Sequence, residues 1–316
     1  MRVNEPTAAW VRLNGRHVLL PCCLLCPTAW CAENTQELAE NLYRRGHGSV
    51  SLSLQATEVS EFNTSEADVD IGSVTTRSAY LEAEYTVSSR WRVKLGVPYI
   101  EKDYDGRGRH DPLQLDPPRP EVAYIDDGHF HGNLQDYVAG IQYLFATQPL
   151  QIEPFALAII PSHDYPHFGQ AAVGQNLWKV ELGVEATHFL PLSDWYYRLA
   201  LSYTIAEQTL DVSINHFRLG VEVGYFLTPG LAVHGFVSSK HGRGDDGTAF
   251  PPSQRTDERW YQHDRTSRHS YINTGIGFDW YFHKDYGLFG SLFTNVWGQT
   301  GHLVDWSATV GVTRYF

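Results

Sequence analysis

From about residue 48 onward, apolar residues alternate with polar or small ones over long stretches. Trp178, Val180, Leu182, Val184 and Ala186 interleave with Lys179, Glu181, Gly183, Glu185 and Thr187. Phe217, Leu219, Val221, Val223 and Tyr225 interleave with Arg218, Gly220, Glu222 and Gly224, and Trp91, Val93, Leu95, Val97 and Tyr99 with Arg92, Lys94 and Gly96. A period of two marks a strand whose faces meet different surroundings. Many of these runs are about 10–14 residues long, against ~5–6 for a soluble strand.

Twelve such segments are predicted, near 48–58, 75–87, 91–102, 135–146, 150–161, 176–189, 195–207, 214–227, 230–240, 269–283, 287–298 and 304–316. Alternation is poorest at 150–161 and 287–298. Short polar turns near 88–90, 147–149, 191–194, 228–230 and 284–287 take turns with longer connections at 59–74, 103–134, 162–175 and 241–268. Short turns at one end and long loops at the other are the layout of an outer-membrane barrel. The expected fold is therefore all-β: an antiparallel transmembrane β-barrel of about 12 strands with periplasmic turns and extracellular loops. A soluble β-sandwich also alternates, but strand length, aromatics at strand ends and charges deep within the polar faces weigh against it.

Composition removes other classes. Mean hydropathy is −0.32, far too polar for a bundle of membrane helices, and a net charge of −12 gives no basic footprint for nucleic acid. The four cysteines, Cys22, Cys23, Cys26 and Cys31, all fall in a segment with Arg2, Arg12 and Arg16 ahead of an apolar run from Val18 to Trp30. That is a secretory signal peptide in outline, over 1–32 with cleavage within 29–32, and its apolar run is too short to span a bilayer. The expected division is signal peptide 1–32, periplasmic segment 33–47 and barrel 48–316, exported to the outer membrane and free of cysteine once cleaved.

With the apolar faces toward lipid, Glu82, Glu84, Arg92, Lys94, Glu153, Lys179, Glu181, Glu185, Arg198, Arg218, Glu222, His234 and Asp279 point inward, and all of them but Glu153 and His234 are candidate pore-lining residues. The tightest face-consistent hairpins set Glu84 opposite Lys94, Glu185 opposite Arg198 across a four-residue turn, and Glu222 on the other side of Arg198. Such a ladder braces the wall or lines a hydrated path. Twelve strands enclose more room than side chains fill, which favours the path.

The runs "LGVPYIEKDYDG" (Leu95–Gly106), "HGNLQDYVAGIQYLF" (His131–Phe145) and "EPFALAIIPSHDYP" (Glu153–Pro166) resemble the outer-membrane transporter-like family of the meta-pathway of phenol degradation. Pro98-Tyr99, Gly132 with Asp136, and Pro161-Ser162 occupy that family's Pro-Tyr, Gly-x-Gly-Asp and Pro-Thr-Gly places, with a stretched spacing and His163 where Gly is usual. The resemblance implies a channel or transporter barrel, often for hydrophobic or aromatic compounds. It implies no binding residues.

Other motifs are weaker. "DYDGRGRHD" (Asp103–Asp111) lacks the acidic twelfth residue and flanking helices of a calcium loop and reads as an exposed acidic loop. His129 and His131 would share a strand face, a legitimate metal geometry, yet they read as solvated loop residues, and no metal or cofactor is expected. Asp126-Asp127, His163-Asp164, Asp245-Asp246 and His263-Asp264 at the rim raise the alternative of an outer-membrane hydrolase; a non-conducting receptor or adhesion barrel is the other alternative. The closing strand "DWSATVGVTRYF" carries Gly311 and Phe316 as an outer-membrane assembly signal. Arg314 stands where an apolar residue is usual, a placement that costs ~0–1 kcal/mol near an interface. The expected partners are outer-membrane lipid, the barrel-assembly machinery acting through that strand, and a small-molecule solute.

Overall fold

Twelve antiparallel strands hydrogen-bond in chain order and close on themselves in the computed structural model, which describes residues 9–13, 16–20, 46–63, 68–69, 72–228, 230–243, 257–299 and 301–316. They are β1 (Gly48–Asn63), β2 (Gly72–Thr86), β3 (Trp91–Gly106), β4 (Asp136–Tyr143), β5 (Gln151–Pro161), β6 (Lys179–Phe189), β7 (Trp195–Ala206), β8 (His216–Thr228), β9 (Leu231–Gly242), β10 (Ser270–His283), β11 (Tyr286–Gln299) and β12 (Gly301–Tyr315). The short pieces Asp68–Val69 and His131–Leu134 extend the wall on β1 and β3. Closure is the pairing of β12 with β1, from Tyr315↔Ser49 to Gly301↔Asn63. Gly48 and Phe316 finish it by exchanging both backbone hydrogen bonds at 3.0 Å. A hairpin of Ala9–Leu13 with Arg16–Leu20 lies within the expected signal segment, and the division expected near residue 32 falls outside the described residues.

The faces sort by period. Leu54, Leu95, Leu182, Leu201, Phe217, Ile276 and Val310 point outward and are exposed, Leu95 by 59% and Ile276 by 66%. The intervening positions point inward and bury Ser51, Glu84, Arg92, Glu181, Arg198 and Glu222. A soluble domain does the reverse, and a band of exposed leucines this wide is stable against lipid. Among the described residues no helix is long and apolar enough to cross a membrane. Aromatic pairs ring the short-turn end, with Trp91 on Tyr143 at 4.7 Å and Trp195 on Tyr225 at 5.0 Å. Tyr203 on Phe217, at 4.6 Å, marks the loop end. Arg314 points outward between Val50 and Tyr286, at the level of this lower ring.

The two poorly alternating segments are both strands. In β5 the inner positions Phe155, Leu157 and Ile159 are themselves apolar, so the two faces differ little. In β11 the register against β10 shifts between Ile272 and Asn273, and one extra residue exchanges the faces.

Several inward glycines receive a ring from the neighbouring strand. A Cβ at Gly224 would lie 2.0 Å from the Tyr196 ring, and one at Gly311 2.2 Å from the Phe289 ring. Gly220, on the same strand as Gly224, has open space, with Ala200 Cβ at 3.6 Å. Gly224→Val is therefore expected to displace Tyr196 and lower the unfolding midpoint of the refolded barrel by several degrees, whereas Gly220→Ala leaves it within a degree or so. Heat-modifiable gel mobility against temperature measures both.

Candidate functional site

The barrel interior is layered. At the turn end lies an aromatic floor: Tyr196, Phe226 and Ala232 are buried together, packed by Phe189 and Tyr281. The Tyr281 and Tyr315 hydroxyls meet at 3.1 Å. Rings collect here because the last inward position of several strands is aromatic.

Above the floor stands the charge ladder. On one wall Glu84 is directly opposite Lys94. Arg92 reaches Glu84 at 3.6 Å, and Lys94 reaches Glu84 at 3.9 Å and also pairs with Glu82. Across the lumen Arg198 is opposite Glu222, as the sequence indicated. Glu185 is not opposite Arg198: Thr187 is, and Glu185 faces Ala200 and Glu153. Six residues, 190–195, separate the last cross-strand pair, Phe189↔Tyr196, rather than four, so the hairpin slides by two. A slide of two preserves the face, and Arg198 still feels Glu185 and Glu153 after Glu222. His234 and Asp279 pair at 3.4 Å on the next two strands, and Ser202 donates to Glu181 at 2.6 Å. All eleven candidate pore-lining residues thus occupy inner-face positions. Glu82, Glu84, Arg92, Glu181, Glu185, Arg198, Glu222 and Asp279 are buried, while Arg218 keeps 50% of its side-chain surface exposed. The lumen is open at Arg218.

The loop end is roofed. The connection 107–135 dips inward, so that Ile125 packs with Val59, Val74 and Tyr104 of the wall and with Ala171 of the 162–178 connection. Asp126 organises the roof: its carboxylate accepts the backbone N–H of His110 at 2.9 Å, Gln170 at 3.0 Å and Ala171 at 2.9 Å. From the wall, Lys102 donates to the Ala172 carbonyl at 2.8 Å and Gln135 to that of Val173. The third connection contributes two short helices, Asp257–Tyr261 and His263–Thr266. Arg265 ties them to the Gln175 and Asn176 carbonyls at 3.2 and 3.0 Å. His110 and Phe168 stack at 5.1 Å, and Trp260 lies on His263 at 4.1 Å.

The rim pairs read for hydrolysis are mostly absorbed by this roof. Asp126 is saturated by backbone, and Asp264 accepts from Gly169 and meets His263 at 3.1 Å. His129 and His131 share Asp127, at 3.4 and 2.8 Å, on an exposed edge. Asp164 takes the Asn176 amide, and Asp245-Asp246 lie outside the described residues. One oxygen of Asp264 and one ring nitrogen each of His110 and His263 lie within 4.8 Å of one another. "DYDGRGRHD" begins as the end of β3, and Asp111 caps the short helix Pro112–Gln114 by accepting from Leu113 at 2.9 Å.

Sequence reading missed Lys240, His216 and Lys102 as inner-face groups. In β9 the inner series runs Ala232, His234, Phe236, Ser238 and Lys240, and Phe236 hides its polarity. The roof contacts of Asp126 were not legible either, because they depend on how far each loop dips.

No protein-family model and no curated protein matches the chain. Among solved structures, an outer membrane channel from Pseudomonas putida F1 superposes with a TM-score of 0.64 at 13% identity, covering 87% of this chain and 98% of that one. The NanC porin gives 0.48 at 9% identity over 83% and 98%. The translocator domain of the autotransporter NalP from Neisseria meningitidis gives 0.47 at 10% over 91% and 95%. The first likeness establishes the fold: an outer-membrane-type barrel of twelve strands.

The roof carries an acid-sensitive element. Burial, reinforced by the nearby Arg265, pushes His167 down to about 4, and burial likewise lowers His110. Both imidazoles are neutral in the folded roof, so folding costs them nothing above pH 6.5. Below that pH the unpacked loops gain protons that the packed roof refuses. For His167 the loss builds to about 3 kcal/mol as pH falls from 6.5 to about 4. In fluorotryptophan-labelled protein, the Trp260 resonance is expected to move from a packed to a solvent-exposed position across that window, and a resonance unchanged down to pH 4 contradicts it.

Proposed function

We propose that the chain is an outer-membrane channel through which small solutes diffuse, hydrophobic or aromatic ones among them. The observation that carries this is the open lumen at Arg218, enclosed by a complete barrel wall between the charge ladder and the loop roof. A receptor or adhesion barrel gains nothing from an enclosed, charged and accessible interior. Water is needed in it, because so many buried charges cost heavily when dry and a polar cavity recruits bridging water. The neighbour of the same fold is itself an outer membrane channel. The likeness of the Pro98-Tyr99 and Pro161-Ser162 runs to the meta-pathway transporter-like family supports the same reading. Residues 1–32 serve as the cleaved export signal, and the closing strand with Gly311 and Phe316 engages the assembly machinery.

Two constrictions set the flow, the ladder toward the turns and the roof toward the loops. The roof is the removable one, since its loops form no strand of the wall and are held by Asp126, by Lys102 and by the packing of Ile125 on the wall. Purified protein in a planar bilayer is expected to give discrete conductance steps. Replacing 112–128 with a short Gly-Ser linker is expected to raise them several-fold, in proportion to the widened mouth. A folded, heat-modifiable barrel that gives no steps, with or without its roof, contradicts the channel.

A further inference from the structure

The cations of the open lumen are unevenly matched. Arg218 and Lys240 are direct cross-strand neighbours on the inner face of β8 and β9. Like charges so placed repel and destabilise a sheet. Arg218 reaches Glu181 at 3.6 Å. Among the described residues Lys240 has no ion pair, and the charges it feels most are those of Lys179 and Arg218, both positive. Lys179 feels Asp136 across the wall, but that carboxylate accepts the Tyr165 hydroxyl. His216 completes the group: it feels Lys240, Arg218 and Lys179, with its Nδ1 set against the Ile214 carbonyl at 3.1 Å. Three cations and an imidazole therefore converge on two acids, of which Glu181 is shared between Arg218 and Ser202 and Asp136 is engaged by Tyr165. In a chain of net charge −12, three cations this close on the inner wall make a local positive potential.

Beside the cations the wall is apolar. Val138, Ile159 and Lys179 are consecutive cross-strand neighbours on the inner face of β4, β5 and β6. Leu157 extends the strip against Gly140, where a Cβ would come within 2.3 Å of its methyl. This explains the poor alternation of β5 by use: its inner side chains give an apolar surface beside a charged one.

We propose that the open lumen binds a small organic carboxylate, its anionic group on Lys240, Lys179 and Arg218 and its apolar body on Ile159 and Val138. An inorganic anion would satisfy the cations and leave the strip unused. A neutral hydrocarbon would use the strip and leave Lys240 uncompensated. Passage of that carboxylate rests on the channel reading; its binding does not.

Isothermal titration of the detergent-solubilised full chain with sodium benzoate, against benzyl alcohol and sodium chloride, tests the site. Saturable benzoate binding is expected, with benzyl alcohol and chloride each at least about tenfold weaker, and with a loss of about tenfold in Lys240→Met and in Lys179→Met. Benzoate binding no tighter than benzyl alcohol overturns the proposal, as does binding unchanged in either variant with heat-modifiable folding intact. Chloride matching benzoate overturns the role of the apolar strip and with it the ligand class. Bilayer recordings on the same preparation keep the two readings apart. Conductance without benzoate binding sinks the site and spares the channel, and benzoate binding without conductance does the opposite. In a salt gradient, Lys240→Glu is expected to move the reversal potential toward cation selectivity.

Discussion

A hydrocarbon slab offers backbone N–H and C=O groups no partner, so a sheet that crosses it must have no edge. The pairing of β12 with β1 meets that demand, and the rest of the structure depends on it. Once the wall closes, strand periodicity alone decides which side chains meet lipid and which meet the lumen. Leu95, Leu201 and Leu219 can then be exposed without penalty, while Glu84, Arg198 and Glu222 are held inside. The backbone exchange between Gly48 and Phe316 carries the closure down to the last residues.

Closing the wall also creates a difficulty, because it gathers charges into a confined space. The ladder answers it by setting opposite charges on adjacent strands, Glu84 against Lys94 and Arg198 against Glu222. Removing one partner from such a buried pair typically costs ~3–5 kcal/mol, since the other charge stays behind. Rings laid over inward glycines, Tyr196 over Gly224 and Phe289 over Gly311, fill the remaining space on the wall. The interior is consequently stiff near the turns and open near Arg218, where the walls carry unevenly matched cations and an apolar strip instead.

The architecture was largely legible in the sequence, because a period of two needs no tertiary knowledge to interpret. The strand order, the inward set from Glu82 to Asp279 and the outward Arg314 follow from it. The Glu185–Arg198 register did not, since two more turn residues slide a hairpin without disturbing either face. Lys240 escaped because Phe236 interrupts the polar series of β9, and β11 was blurred by a bulge. Of the roof, the sequence shows only that connections such as 103–134 and 162–175 are long. Its anchor, the Asp126 carboxylate with three backbone donors from two loops, belongs to the folded state and leaves no periodic trace.

The account stands on one distinction: within a strand, odd and even residues live in different media. Spin labels placed singly along β6, at 180, 182 and 184 and at 179, 181 and 183, report it directly through collisions with oxygen and with a water-soluble nickel complex. In lipid vesicles the first set is expected to collide preferentially with oxygen and the second with nickel, alternating residue by residue. Equal accessibility at both sets, or the opposite phase, would contradict the inside-out barrel and the lumen built upon it.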